Sequence, residues 1–260
     1  MHRSGIRVAA GAGTNSLPDT RGRHWAARLD LLQSATGLAL ALFMWAHMFF
    51  VASILFGKDA MWTVTRFFEG YFFFGRSYPI LVSGVAAIVI LLLVVHAALA
   101  LRKFPASYAQ YAAFRNHTRA MRHPDTTLWL WQVWTGFALF FLASVHLYTM
   151  LMRPDRIGPY ASADRVWSES LWPLYLVLLF VVETHAGVGL YRLAVKWGWF
   201  ASDNAEITRR RLVRAKWGVT AFLIVLGLAT LAAYVRIGIE HAPQYGERYT
   251  PARYLAEPEG

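Results

Sequence analysis

Five apolar runs, each about 20 residues or longer, constrain this chain more than any other feature, because that length matches the ~30 Å hydrocarbon core of a bilayer. They read Gln33–Leu55, Pro79–Leu101, Thr127–Met152, Trp172–Val195 and Trp217–Val235. Trp129, Trp131, Trp172, Trp197 and Trp217 stand at or near their ends, where aromatic belts form. Pro79 and Pro173 fall at helix starts, where a missing N–H costs nothing. Only 16% of the residues are charged, against about 25% in a soluble domain. A soluble globular enzyme is excluded, and the expected fold is an all-α integral membrane protein of five transmembrane helices. No cysteine is present, which excludes thiolate zinc sites, iron–sulfur ligation and covalent haem attachment within the chain.

The net charge of +11 does not mark a nucleic-acid protein, because its placement is a topology signal and no nucleic-acid-binding motif accompanies it. Of the 26 Lys and Arg, 17 lie in the N-terminal tail and the second and fourth connections, and 9 on the other side. The basic side faces the cytoplasm, so the N-terminus is expected inside and the C-terminus outside, in the periplasm. The polar, basic N-terminal stretch lacks the apolar core of a signal peptide. The chain therefore divides into a cytoplasmic tail at 1–28, a five-helix membrane domain at 29–240 and an outer tail at 241–260. Within the connection Arg102–Thr126, Tyr108, Tyr111 and Phe114 alternate with basic residues. This is the pattern of an amphipathic surface helix, either a dock for a soluble partner or a simple interfacial anchor. No internal repeat stands out.

Four of the nine histidines, His47, His96, His146 and His185, lie one in each of the first four runs. Ionisable groups at membrane depth are costly and mark function. At 1.5 Å per residue, His47 lies ~21 Å and His146 ~28 Å from the inner end, whereas His96 lies ~8 Å and His185 ~15 Å from it. The geometry is two bis-histidine sites, one above the other, with mean depths ~13 Å apart. Two imidazoles per site are too few protein ligands for zinc or copper. They suffice for haem, whose macrocycle supplies the other iron positions, and bis-His ligation favours electron transfer. Without thiols the haem must be non-covalent, of b type. Ala97, Ala98, Gly136, Ser144, Ala186, Gly187 and Gly189 are small enough to lie against a macrocycle, although small residues also serve helix packing. Gln33, Ser34, His123, Thr126, Trp129 and Lys196 are candidates for the propionates of the inner haem.

At these histidines the segments LDLLQSATGLALALFMWAHMFFVASILFG, HAALALRKFP, MRHPDTTLW, TGFALFFLASVHLY and WPLYLVLLFVVETHAGVGLYRLAVKWGWF become informative. Across about residues 28–240 they resemble the dihaem cytochrome b subunit of quinol:fumarate reductases and succinate:quinone reductases. The resemblance implies helices I–IV around two stacked b haems, with the fifth helix beside them. His96 and His185 would hold the cytoplasm-side haem, and His47 and His146 the outer one. It maps propionate contacts onto Gln33, Ser34, His123, Trp129, Arg165 and Lys196. It also implies an iron–sulfur subunit and a flavoprotein on the cytoplasmic face, a dimer of heterotrimers, and residence in a bacterial inner membrane.

In such proteins menaquinol is oxidised near the outer haem with a glutamate in the first outer connection, which maps onto Glu69. A second glutamate, implicated in proton movement, maps onto Glu183. Quinol oxidation releases two protons with two electrons, so a carboxylate beside an aromatic pocket is a sensible acceptor. The segment Trp62–Phe74 supplies the aromatic character, and the competing account of Glu69 is an interfacial ion pair with Arg66. Glu183 stands within hydrocarbon, where an ionised carboxylate is disfavoured. Three other functions compete: a quinone-linked cytochrome b anchor of a hydrogenase or formate dehydrogenase, a histidine-relay transporter or proton channel, and a purely structural anchor.

Overall fold

The computed structural model describes residues 20–121 and 124–255, and these form helices joined by turns. α1 (Thr20–Ala52) ends in a 3-10 turn at Ser53–Phe56, followed by the short α2 (Lys58–Phe68) and α3 (Tyr71–Phe74). α4 (Ile80–Leu101) returns, and α5 (Tyr108–Met121) leads into α6 (Pro124–Met152). Beyond the short α7 (Pro159–Val166), α8 (Trp172–Trp197) and α9 (Ala205–His241) complete the long helices. A 3-10 turn at Ala242–Gln244 and α10 (Ala252–Leu255) follow.

Five helices, α1, α4, α6, α8 and α9, are long and apolar enough to cross a membrane. α1 packs on α4, α4 on α6, α6 on α8 and α8 on α9, which also reaches α1. Their outward faces carry the apolar residues a soluble protein would hide: Ile88, Leu91, Phe141 and Val225 are 61–68% exposed. Lipid is the solvent such a surface requires, since chains of hydrocarbon compete with none of these contacts.

Polar contacts show which helix ends lie together. Near the start of α1, Asp30 pairs with Arg102 at 2.8 Å, Lys103 at 2.9 Å and Lys196 at 3.7 Å. That end, where α1 begins, is the near end. At the far end, Ser83 Oγ donates to the Leu151 carbonyl at 2.8 Å. The C-terminal segment folds back there over α2 and α7. Tyr254 lies against Trp62 with ring centroids 4.8 Å apart, Tyr249 donates to Asp59, and Pro251 is fully buried.

The helices outrun the apolar runs. α9 has 37 residues, ~56 Å at 1.5 Å per residue, nearly twice the hydrocarbon thickness. It starts early because Asn204 caps it, its side chain accepting from the amides of Glu206 and Ile207 at 3.0 and 3.1 Å. Such a cap replaces partners that the first helical amides lack, so the arginine-rich stretch continues the helix outside the lipid. At its other end α9 reaches His241, so the fifth helix does carry a histidine. That imidazole is buried, bonded through Nδ1 to Asp164 Oδ1 at 2.8 Å, and stacked on Tyr160 at 3.9 Å. It fastens α9 to α7. The connection after α4 does contain the expected amphipathic helix, α5, whose Phe114 packs edge-on against Trp129 at 4.9 Å.

Candidate functional site

A cavity of about 1270 Å³ runs between the long helices. It exceeds the roughly 300–1,000 Å³ of a typical small-molecule site. His47, His96, His146 and His185 all line it, one from each of α1, α4, α6 and α8. The rest of the wall is mainly Leu, Val, Ala, Phe and Met. His47 and His146 face each other with ring centroids 6.0 Å apart and planes at 71°. Tyr175 stands edge-on to His146 at 5.6 Å, on the far-end side. His146 Nδ1 is buried without a hydrogen-bond partner.

His96 and His185 sit differently. The Thr36 hydroxyl lies 3.3 Å from His96 Nδ1, and the Thr135 hydroxyl 3.1 Å from His185 Nδ1. Beside each threonine is a glycine against the same ring. A Cβ on Gly37 would come within 2.7 Å of His96 Cε1, and one on Gly136 within 3.1 Å of His185 Cε1. α1 and α6 thus play equivalent parts, and their sequences say so. Gln33-x-x-Thr36-Gly37-x-Ala39-Leu40 precedes His47 at the same spacing as Gln132-x-x-Thr135-Gly136-x-Ala138-Leu139 precedes His146. Each glycine is ten residues from the histidine on its own helix, a separation of ~15 Å along the axis. Each helix therefore offers a histidine at one level and a threonine–glycine cradle at the other. This short repeat is the sequence signal that a search for long self-similarity passes over, and it identifies Thr36 and Thr135 as site residues.

The near-end wall is polar. Gln33, Ser34, Trp129 and Lys196 line it, Lys196 Nζ donates to Ser34 Oγ at 3.3 Å, and Gln33 Oε1 is buried without a partner. His123 lies outside the described residues. Arg165 is buried at the far end and donates to the Arg156 carbonyl; its neighbours Ser162 and Val166, not its own side chain, are on the cavity wall. Of the small residues, Ala97, Gly136, Ala186 and Gly189 line the cavity. Gly187 points elsewhere: a Cβ there would lie 2.2 Å from Thr220 Oγ1 of α9, so its role is close helix packing. Gly37, not anticipated from the sequence, takes the place at the cavity.

The two glutamates are both buried, and neither is on the wall of the large cavity. Glu69 ends α2, and Gly70 turns the chain after it with φ +76°, in the left-handed region that suits glycine. Glu69 borders a second pocket of about 20 Å³, with Arg66, Tyr160 and Tyr249. That is room for one water. Thr65 and Ile157 line both spaces and form the wall between them. Glu183 lies on the stripe of α8 between Leu179, which packs on Gly227, and Gly187, which packs on Thr220. It therefore faces the seam with α9, and its Oε1 has no hydrogen-bond partner.

Among the described residues, no three His, Asp or Glu side chains converge as a metal site would need. The donor set consists of histidine pairs on an apolar wall, with polar side chains gathered at the near end. A flat apolar group with anionic arms and an iron needing two axial nitrogens fits that set, and a bare metal ion does not.

Residues 109–228 match the family described as succinate dehydrogenase/fumarate reductase transmembrane subunit. Over 223 residues the chain is 55% identical to the fumarate reductase cytochrome b subunit of Wolinella succinogenes, spanning 86% of this chain and 87% of that protein. It is 54% identical over 215 residues to the fumarate reductase cytochrome b subunit of Helicobacter pylori, spanning 83% of each. With its five membrane-length helices and its histidine-lined interior, the chain belongs to the fumarate reductase cytochrome b family, the transmembrane subunits of the succinate dehydrogenase/fumarate reductase complexes.

Proposed function

We propose that this chain passes electrons from a membrane quinol to the iron–sulfur subunit of a fumarate reductase through two non-covalent b haems. The observation that carries the reading is a large apolar cavity lined by a histidine from each of four helices, two of them ring to ring at 6.0 Å. Bound haem supplies a one-electron carrier whose iron has no open position when two imidazoles ligate it. His47 and His146 hold the outer haem, and His96 and His185 the inner one. Gln33, Ser34, Trp129 and Lys196 receive the propionates of the inner haem, whereas Arg165, off the cavity wall and bonded to the Arg156 carbonyl, would have to turn from that bond to reach the outer one.

The near end faces the cytoplasm, because the basic excess lies there. Its arginines, including Arg209, Arg210, Arg211 and Arg214 on α9, present a cationic face to the iron–sulfur subunit, which carries the flavoprotein. Two such heterotrimers pair in a bacterial inner membrane.

At the outer end Glu69 accepts the protons of menaquinol, and the water-sized pocket beside it opens their way to the aqueous side. A quinol against Thr65 and Phe68, on the wall of the large cavity, would be separated from that carboxylate by the wall that Thr65 and Ile157 form. Glu183, in the α8–α9 seam, moves protons inward. Thr220 and Lys216 continue the seam toward the near end, whereas Leu179, Leu223 and Gly227 close it on the other side.

A redox titration of the purified complex with menaquinol as donor tests the reading. Two b-type one-electron transitions, both reached by quinol, are expected. One transition, or none that quinol reduces, overturns it.

A further inference from the structure

The two threonines facing His96 and His185 fix more than position. A hydroxyl has one hydrogen to donate. Thr36 Oγ1 lies 2.8 Å from the Leu32 carbonyl, and Thr135 Oγ1 lies 2.7 Å from the Trp131 carbonyl, four residues back in each case. Those short bonds to acceptors that cannot donate commit both hydroxyl hydrogens. What remains toward the imidazole is a lone pair, so His96 Nδ1 and His185 Nδ1 are the donors at 3.3 and 3.1 Å, with the backbone carbonyls of Gln33 and Gln132 as second acceptors beside the hydroxyls. Both rings are therefore Nδ1–H tautomers, with the lone pair on Nε2. Gly37 and Gly136 let the rings come close enough for the bond, since a side chain at either place would meet Cε1. At the other histidine pair the environment differs, with His146 Nδ1 buried and unpartnered.

We propose that Thr36 and Thr135 are positioning residues for the inner haem, which accept Nδ1–H of His96 and His185, aim Nε2 at the iron and make both imidazoles stronger electron donors. The inference rests on His96 and His185 being the axial ligands of that haem. A hydrogen bond from the distal ring nitrogen to an acceptor fixes the tautomer and raises ligand basicity. A more basic ligand favours the ferric state, so the two hydroxyls lower the potential of the inner haem relative to the same pocket without them. The outer haem, ligated elsewhere, is untouched.

The test is a redox titration, followed in the visible spectrum, of the intact complex carrying Thr36→Val, Thr135→Val or both. Valine keeps the shape and removes the oxygen, and Thr→Ser restores it. The transition belonging to the inner haem is identified as the one missing from His96→Ala. Each valine variant should retain both haems and raise the inner midpoint potential, by up to about 59 mV for a tenfold shift of the one-electron equilibrium. Serine should return it toward the parent value, and the outer transition should not move. An inner haem lost with valine and kept with serine would support the same role. Unchanged potentials in the valine variants, or equal effects of valine and serine, would overturn the proposal. Retention of both haems in His96→Ala would instead overturn the ligand assignment beneath it.

Discussion

Arg66 Nη1 lies 2.7 Å from Glu69 Oε2, an ion pair closing the last turn of α2. The same nitrogen donates to Ser77 Oγ at 2.5 Å, so the carboxylate is held from one side and left facing the small pocket. The ion pair of the competing account is thus present, and a proton would have to reach the carboxylate from the side left open to the small pocket. Glu69→Gln should lower quinol-linked fumarate reduction by about a hundredfold or more, the scale of a lost general base. Both haems and fumarate reduction driven by artificial dyes should remain. Normal quinol turnover in that variant would leave Glu69 as a structural partner of Arg66 alone.

The histidine pairs predict selective losses. Replacing His47 or His146 with alanine should remove the outer haem, and replacing His96 or His185 the inner, as read from reduced-minus-oxidised spectra of the purified complex. Cross-loss, in which His47 and His96 variants lack the same haem, would refute the pairing.

Glu183 should matter only when charge is at stake. Moving one charge across 100 mV is worth ~2.3 kcal/mol, so electrons crossing the bilayer need either a driving force or compensating protons. Glu183→Gln should slow quinol-linked turnover in sealed vesicles while both haems stay bound. Full turnover with no membrane potential generated would exclude the proton role.

The seam between α8 and α9 is tight at Gly187, where a Cβ would stand 2.2 Å from Thr220 Oγ1. Gly187→Ala should destabilise the subunit by about 1–3 kcal/mol, the scale of core overpacking. Adding Thr220→Ala should restore most of it, as read from thermal unfolding.

The C-terminal segment should loosen at high pH. Burial first, and then its bond to Asp59, push the Tyr249 phenol up to about 12, against about 10 for a free tyrosine. Between those values the docked tail keeps a proton that the free tail has released, so docking weakens as pH rises through that window and is unaffected below it. Limited proteolysis of the tail should accelerate there in the parent chain. In Tyr249→Phe that acceleration should be absent; its persistence would assign the effect to another group.

Run length and the rise of a helix are one-dimensional quantities, and both were legible. Gln33–Leu55 and its four counterparts are spans because only hydrogen-bonded helices of that length satisfy the backbone in hydrocarbon. The levels of His47 and His146 against His96 and His185 follow from counting residues. Family membership was readable too, since long segments around those histidines match in register.

What the sequence could not supply was the direction in which each side chain points around its helix, because every face of a lipid-embedded helix is apolar and periodicity carries no signal. Packing alone turns Gly136 to a histidine and Gly187 to Thr220, and sends Glu183 into the α8–α9 seam instead of the cavity. The ends of α9 escaped for a related reason: hydrophobicity reports the lipid boundary, whereas Asn204 and the His241–Asp164 bond determine where the helix begins and is tied down. The chain by itself determined that it has five apolar helices of membrane length and carries four histidines at two levels. Only the tertiary structure decided which neighbours each histidine meets, because contacts across helices depend on rotation and approach, and at His96 and His185 that approach is left open by Gly37 and Gly136.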